Sequence, residues 1–153
     1  MQMLGPIATI LVSLCVAYIA WQQWQVARNK LRLDLFERRY KIYEATRKFL
    51  GAIVQKAFFT EIQLHEYNVG TSDAEFLFGI EIVACLNKIY ERAISLQTHQ
   101  KVGETLPVGE ERSLHGRAQE EHVLCFGNQL TTLSKTFAPY LDFSQIQVEF
   151  LVR

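Results

Sequence analysis

The sequence contains none of three motifs that mark common nucleotide-binding and catalytic sites. There is no GxxxxGK[ST] phosphate loop, no GxSxG nucleophile elbow and no GxGxxG turn. The four histidines do not form an HExxH pair either, because Val69 stands where the second histidine after His65 and Glu66 would be needed. These absences predict a protein that is not an enzyme and has no cofactor or metal site.

Cysteine is also scarce. The three cysteines, Cys15, Cys85 and Cys125, are odd in number and form neither a CxxC pair nor a cluster with histidine. This pattern argues against a disulfide framework or a zinc site, and predicts reduced, buried thiols.

The chain has no net charge, since 16 Lys and Arg balance 16 Asp and Glu. The balance hides an asymmetry: residues 28–48 carry a net charge of +5, and residues 51–153 carry a net charge of −5. A protein that binds duplex nucleic acid would present a basic face across its domain. We therefore expect no duplex nucleic acid among the partners.

Charge is missing altogether from residues 3–21, and the first charged side chain is Arg28. A helix needs about 20 apolar residues to cross the hydrocarbon core of a bilayer. No Lys or Arg precedes this segment and no Ala-x-Ala cleavage site follows it, so it differs from a secretory signal. The sequence predicts a transmembrane anchor at 1–27 and a cytosolic helical domain at 28–153.

The residues that follow the apolar segment predict its orientation. Arg28, Lys30 and Arg32 belong on the cytoplasmic side, which leaves the N-terminus in the periplasm of a bacterial inner membrane. Trp21 and Trp24 then lie among the lipid headgroups, where an indole ring is favourable.

Small side chains recur every four residues in the span, at Gly5, Thr9, Ser13 and Ala17. Such a strip lets two helices approach closely, and its hydroxyl groups can bond across the contact. It predicts a homo-oligomer, of which a tetramer is one form. Small residues are also common in spans, so chance remains the alternative explanation.

Glycine and proline are absent from residues 7–50, which predicts one continuous helix. Beyond the span, this helix carries two apolar stripes and therefore a face wide enough for a helical bundle. The first stripe consists of Leu33, Phe36, Tyr40, Tyr43, Arg47, Leu50 and Val54. The second consists of Leu31, Leu35, Ile42, Ala45, Phe49 and Ile53.

The rest of the chain predicts two more long helices, and hence an all-α fold of about three long helices. A turn at 68–71 leads to a capping box at Ser72 and Glu75 and a helix to about residue 100. A polar loop at 101–112 precedes a helix at 113–137, which Pro139 closes. The tail alternates apolar and polar residues at 146–152, which predicts a short strand or an irregular tail packed on the bundle. The face expected to be buried in the second helix consists of Phe76, Ile80, Val83, Leu86, Tyr90 and Ala93.

Two groups of cations exceed what membrane orientation requires, and we interpret them as candidate anion-binding residues. The alternative is a solvated face, attracted to anionic lipid or paired with the acidic helices. Residue 47 lies about 28 Å along the helix from residue 28, beyond the reach of lipid charge. The first group consists of Arg38, Arg39, Lys41, Arg47 and Lys48. The second lies at the start of the last helix and consists of Arg112, His115 and Arg117.

The stretch QQWQVARNKLRLDLFERRYKIYEATRKFL, residues 22–50, resembles a group of small bacterial single-pass membrane proteins with a QQWxxARNKLRLDLF[DE]RR-type helix after the span. The PYLDF sequence at 139–143 is similar as well. In size and layout the chain also resembles the small membrane effectors of type III CRISPR immunity. That resemblance implies a cytosolic domain that oligomerises and binds cyclic tetra-adenylate, without assigning the binding to particular residues.

Two hypotheses follow. In the first, the chain is an oligomeric antiviral effector that senses an anionic ligand, such as a cyclic oligoadenylate, and signals to its membrane span. In the second, it is a non-enzymatic adaptor, anchored in the membrane, whose helical bundle binds a protein partner.

Overall fold

The computed structural model describes residues 4–107 and 109–142, with side chains from residue 9 onward. Four helices and one single helical turn make up this part of the chain, which contains no strand. In chain order they are α1 (Leu4–Lys56), α2 (Glu61–Thr71), the single turn α3 (Ala74–Leu77), α4 (Ile80–Thr105) and α5 (Glu110–Leu141). The all-helical fold is confirmed, and the tail expected to form a strand lies outside the described residues.

The chain divides into an N-terminal unit, Met1–Phe36, and a bundle unit, Glu37–Arg153. In the described part of the N-terminal unit, α1 exposes its large apolar side chains, with Ile10 and Leu14 at 60% and 62%. This is a helix long and apolar enough to cross a membrane. Its Ser13 hydroxyl donates to the Thr9 carbonyl within the same helix at 2.8 Å.

The bundle unit has a core to which α1, α2, α4 and α5 all contribute. Leu50 and Ile53 of α1 are fully buried with Ile89 of α4 and Phe126 of α5. Aromatic rings fill much of the space, and the Phe49 ring stacks on Tyr67 with centroids 4.6 Å apart. Full burial of such side chains contributes about 1.5–3 kcal/mol each.

The two predicted stripes of α1 behave differently. The second stripe supplies core residues, since Ile42, Phe49 and Ile53 are buried. In the first stripe Leu50 is buried, whereas Leu33 and Tyr40 are 50% and 42% exposed. The wide apolar face is therefore only partly covered within one chain.

The end of α1 was not predicted, because the helix passes Gly51 and stops at Lys56 without a glycine or proline. Ala57 adopts a left-handed conformation, φ 50°, which is unfavourable for a residue with a side chain. The buried Gln100 amide donates to the Ala57 carbonyl at 2.8 Å and holds this corner from α4. A capping box of Thr60 and Gln63 then starts α2.

The predicted turn at 68–71 is wrong, because these residues complete α2. The predicted capping box is also wrong: Ser72 follows the end of α2, and Asp73 precedes α3 without a side-chain cap. Gly70, a typical turn residue, is tolerated in the helix because it packs closely on α1. A Cβ added there would meet the Ala45 Cβ at 3.0 Å.

The predicted helix at 72–100 is interrupted at Phe78 and Gly79, which are both extended. The interruption changes which face is buried. Phe78 and Ile82 enter the core, while Phe76 and Ile80, expected there, are 80% and 81% exposed. Glycine is needed at the interruption because an added Cβ would come within 2.7 Å of the Tyr140 hydroxyl.

The last two helices pack closely against each other, and both extend further into the predicted loop between them than expected. The expected loop at 101–112 shrinks to 106–109, since α4 ends at Thr105 and α5 begins at Glu110. Pro139 lies inside the last turn of α5 rather than after it. Of the three cysteines, Cys85 and Cys125 are half-buried and Cys15 is exposed, and all three are unpaired.

Candidate functional site

Arg39 joins the ends of two helices. Its Nε donates to the Leu77 carbonyl at 2.9 Å, and its Nη1 donates to the Tyr140 carbonyl at 3.1 Å. Leu77 ends α3 and Tyr140 lies in the last turn of α5, where unsatisfied carbonyls carry partial negative charge. The guanidinium also lies 5.8 Å from the ring centres of Phe78 and Tyr140. Arg39 therefore has a structural role, and its binding of an anion stays a prediction.

The other cations of the first group lie on the outer surface of α1. Lys41 and Arg47 are exposed, and so is Arg38. The Lys48 Nζ lies 3.9 Å from a carboxylate oxygen of Glu66 on α2, with both side chains largely exposed. An ion pair of this kind contributes little to stability, so Lys48 stays accessible to an anion.

Arg39 lies far from the second group of cations within one chain. Arg112 and Arg117 are exposed in the first turns of α5. Arg39 contacts Tyr140, near the other end of that helix. Residues 117 and 140 are about 35 Å apart along α5. Arg39 therefore does not share a site with Arg112 and Arg117 in a single protomer.

His115, predicted as an anion ligand, is half-buried against His99 of α4. The two Nδ1 atoms are 3.0 Å apart, and the ring centres are 5.2 Å apart. A hydrogen bond between them needs one Nδ1–H donor and one Nδ1 lone pair. The pair therefore cannot hold a proton on both Nδ1 atoms without losing this bond. Sequence reasoning did not pair these histidines, because they lie on different helices.

A third histidine extends this pair. The His122 ring centre lies 5.6 Å from that of His99, and its buried Nδ1 has no hydrogen-bond partner among the residues that the structure describes. Burial lowers the pKa of His122, and the positive charge of Arg92 and the neighbouring His99 lower it further, while Glu121 opposes them. The seven-residue spacing of His115 and His122 on α5 was the signal in the sequence. In the part of the chain described, no group of three or more His, Cys, Asp or Glu is arranged to hold a metal ion.

Two cavities of the bundle unit are small. One of about 160 Å³ lies between α1 and α2, lined by Phe49 and Tyr67, with Lys48 and Glu66 at its rim. Another of about 240 Å³ lies among α2, α3 and α4, lined by side chains that include Asn68 and Asn87. Sites for small-molecule ligands usually measure about 300–1,000 Å³. Neither cavity is large enough for a cyclic oligonucleotide.

The two most exposed large apolar side chains described in the bundle unit lie four residues apart in the chain, where α3 meets α4. Phe76 and Ile80 are 80% and 81% exposed. Three exposed carboxylates, Asp73, Glu75 and Glu81, are their neighbours in the chain. We call these five residues the Phe76 patch. Apolar side chains with a charged rim are typical of protein-binding surfaces.

The residues predicted to lie at the membrane surface are largely exposed on α1, and the Arg28 guanidinium lies 5.3 Å from the centre of the Trp24 ring. Trp21 and Trp24 are each 56% exposed. Lys30 is exposed and Arg32 is half-buried. Of the small-residue strip, Thr9, Ser13 and Ala17 are exposed on one helix, and the side chain of residue 5 lies outside the described set.

Comparison with protein-family models, with curated proteins and with solved structures finds no match for this chain.

Proposed function

We propose that the chain is a non-enzymatic adaptor, anchored in the bacterial inner membrane with its bundle unit in the cytoplasm. The Phe76 patch is the observation that carries this proposal, because its two large apolar side chains are more exposed than any other large apolar side chain described in the bundle unit. Interrupting the helix at Phe78 and Gly79 turns Phe76 and Ile80 outward. In this proposal, a protein partner covers them.

The rim of the patch indicates the chemistry of the partner. Asp73, Glu75 and Glu81 would repel an anionic lipid surface, so the membrane is a poor occupant. A helix with an apolar stripe flanked by Lys or Arg complements both the centre and the rim. The proposed partner is therefore a protein segment with a basic-rimmed apolar face.

Photo-crosslinking of the full-length protein in its native membranes tests the proposal. A benzophenone amino acid at position 76 should give an adduct with another protein. The yield of the adduct should fall as the salt concentration rises, since charge attraction contributes to this contact. It should also fall when the charge of the rim is reversed by Glu75→Lys with Glu81→Lys.

Leu114 provides a matched control, because it is 57% exposed but lies between Arg112 and Arg117. The same crosslinker at 114 should give no such adduct. Equal adducts at 76 and 114, insensitivity to rim reversal, or an adduct formed only by two copies of this chain would each overturn the proposal.

The antiviral effector is the second candidate, and the exposed cations of α1 favour it. Lys41 and Arg47 are not needed for the core, and copies of α1 related by symmetry would repeat them around an axis. A cyclic oligoadenylate carries several phosphates and would suit such a repeated arrangement of cations. Since the two cavities of the bundle unit are too small for this ligand, we place its proposed site between protomers.

Thermal unfolding of the full-length protein in detergent, with a panel of cyclic oligoadenylates, tests the effector. Binding should raise the midpoint temperature, and Lys41→Ala with Arg47→Ala should remove the increase. If the effector acts by damaging the membrane through its span, Ser13→Leu in the small-residue strip should block that damage and leave the binding of cyclic oligoadenylate intact. A flat response to the whole panel would exclude the effector and leave the adaptor standing.

A further inference from the structure

The exposed apolar side chains of α1 continue past the first cations at a regular spacing. Val26, Leu33 and Tyr40 follow one another every seven residues and are 66%, 50% and 42% exposed. Asn29 and Phe36 fall between them, at alternating spacings of three and four. This is the spacing at which two helices interlock along a seam. We call these five residues the α1 seam.

Lipid does not explain this surface in full. Arg28, Lys30 and Arg32 mark the side of the membrane where water begins, and Leu33 follows them. A large apolar side chain exposed to water there gains free energy from a partner that covers it.

The charges that flank the seam distinguish between possible helix orientations. Arg32 directly precedes Leu33, and Glu37 directly follows Phe36. In a parallel pair of helices, the residue just before Leu33 on one helix faces the residue five positions later on the other helix. Arg32 of one copy therefore meets Glu37 of the other. In an antiparallel pair, equivalent positions face each other and place Arg32 against Arg32. The pairing of Arg32 with Glu37 therefore favours the parallel, in-register arrangement.

Arg39 and Glu44 have the same five-residue spacing one heptad later, so they could in principle form a second ion pair between helices. Because the Arg39 guanidinium is committed to the carbonyls of Leu77 and Tyr140, we assign the ion pair between helices to Arg32 and Glu37 alone.

We propose that the α1 seam is a homotypic interface, which a second copy of this chain covers in parallel and in register. Asn29 lies near the centre of the seam, where a polar side chain facing its own copy favours one register over a shifted one. Leu33 supplies the apolar contact, and two Arg32–Glu37 pairs related by symmetry flank it. The interface does not depend on the Phe76 patch, and shares with the adaptor only the membrane anchor.

Disulfide crosslinking of the full-length protein in native membranes tests the interface. In a background without Cys15, Cys85 and Cys125, single cysteines at 26, 29 and 33 should crosslink copies of the chain under mild oxidation. Leu31 is the matched control, because it is also leucine and is 59% exposed, but lies away from the seam. Leu31→Cys should crosslink several-fold less than Leu33→Cys, and equal yields would overturn the proposal.

Charge exchange tests the ion pair. Arg32→Glu and Glu37→Arg should each reduce the Leu33→Cys crosslink several-fold, because each places like charges together. The two substitutions combined should restore the yield. Failure to restore it would overturn the parallel register, and neither result bears on the adduct at position 76.

Discussion

In the N-terminal unit the large apolar side chains stay exposed, whereas in the bundle unit they fill a core. Leu14 is 62% exposed on α1, and Leu50 of the same helix is fully buried. The difference lies in how apolar residues are arranged around the helix. Before residue 28 they surround it, as suits lipid on all sides, and after residue 37 they form stripes that suit a bundle.

The largest expected effect is on the free energy of unfolding, when a core side chain is removed from the bundle unit. Phe126→Ala should lower the free energy of unfolding of the bundle unit by about 3–5 kcal/mol, because Phe126 is fully buried. Val12→Ala is the matched change in the N-terminal unit, where the side chain is 63% exposed, and should leave that free energy unchanged. Chemical denaturation in detergent, followed by near-UV circular dichroism, measures both. A comparable loss from Val12→Ala would contradict the view that only the bundle unit has a protein core.

An intermediate effect is expected at Arg39. Arg39→Met should destabilise the bundle unit by about 2–3 kcal/mol, since it leaves the Leu77 and Tyr140 carbonyls without their charged donor. Lys41→Met removes an exposed cation two residues away and should change stability by less than about 0.5 kcal/mol. The same denaturation experiment compares the two variants. If both lost equal stability, the structural role of Arg39 would be wrong.

The smallest effect concerns pH and should be confined to the bundle unit. Because the pKa of His122 is lowered in the folded protein, its imidazole binds a proton more readily in the unfolded chain than in the folded chain. The contribution of His122 to stability is therefore complete above about pH 6.5, the ordinary value for histidine, and declines as the pH falls below it.

Thermal unfolding between pH 7.5 and 5 measures this decline. His122→Gln should make the midpoint temperature less dependent on pH, while His65→Gln, at an exposed position on α2, should leave the dependence as it is. An unchanged pH dependence in His122→Gln would show that other groups account for it.

The sequence predicted most of α1 and the helical character of the bundle, because both depend on local composition and periodicity. It did not predict the breaks at Ala57 and Phe78, since neither is set by a local proline or a turn motif. Packing determines them instead: Gln100 holds one break, and Tyr140 lies against Gly79 at the other. α2 was missed for the same reason, because its turn-like residue Gly70 is accommodated by contact with α1.

The candidate site was less predictable than the fold. Counting charges found the cations, but the role of Arg39 depends on carbonyls 38 and 101 residues away in the chain. The His99–His115 contact likewise depends on how α4 and α5 pack. Phe76 and Ile80 are exposed because the helix breaks at Phe78. The sequence predicted a continuous helix, in which both side chains would be buried. Side-chain roles that depend on contacts between helices are not visible in a pattern along one helix.

The corner at Ala57 has a consequence for the order in which the protein is made. The left-handed conformation that ends α1 is held by Gln100, which is synthesised 43 residues later. Chains emerge from the ribosome at about 5–20 residues per second, so for several seconds α1 exists without the contact that fixes its end. We therefore expect the N-terminal segment to enter the membrane while the C-terminal end of α1 is still frayed, and the corner to form only when α4 docks.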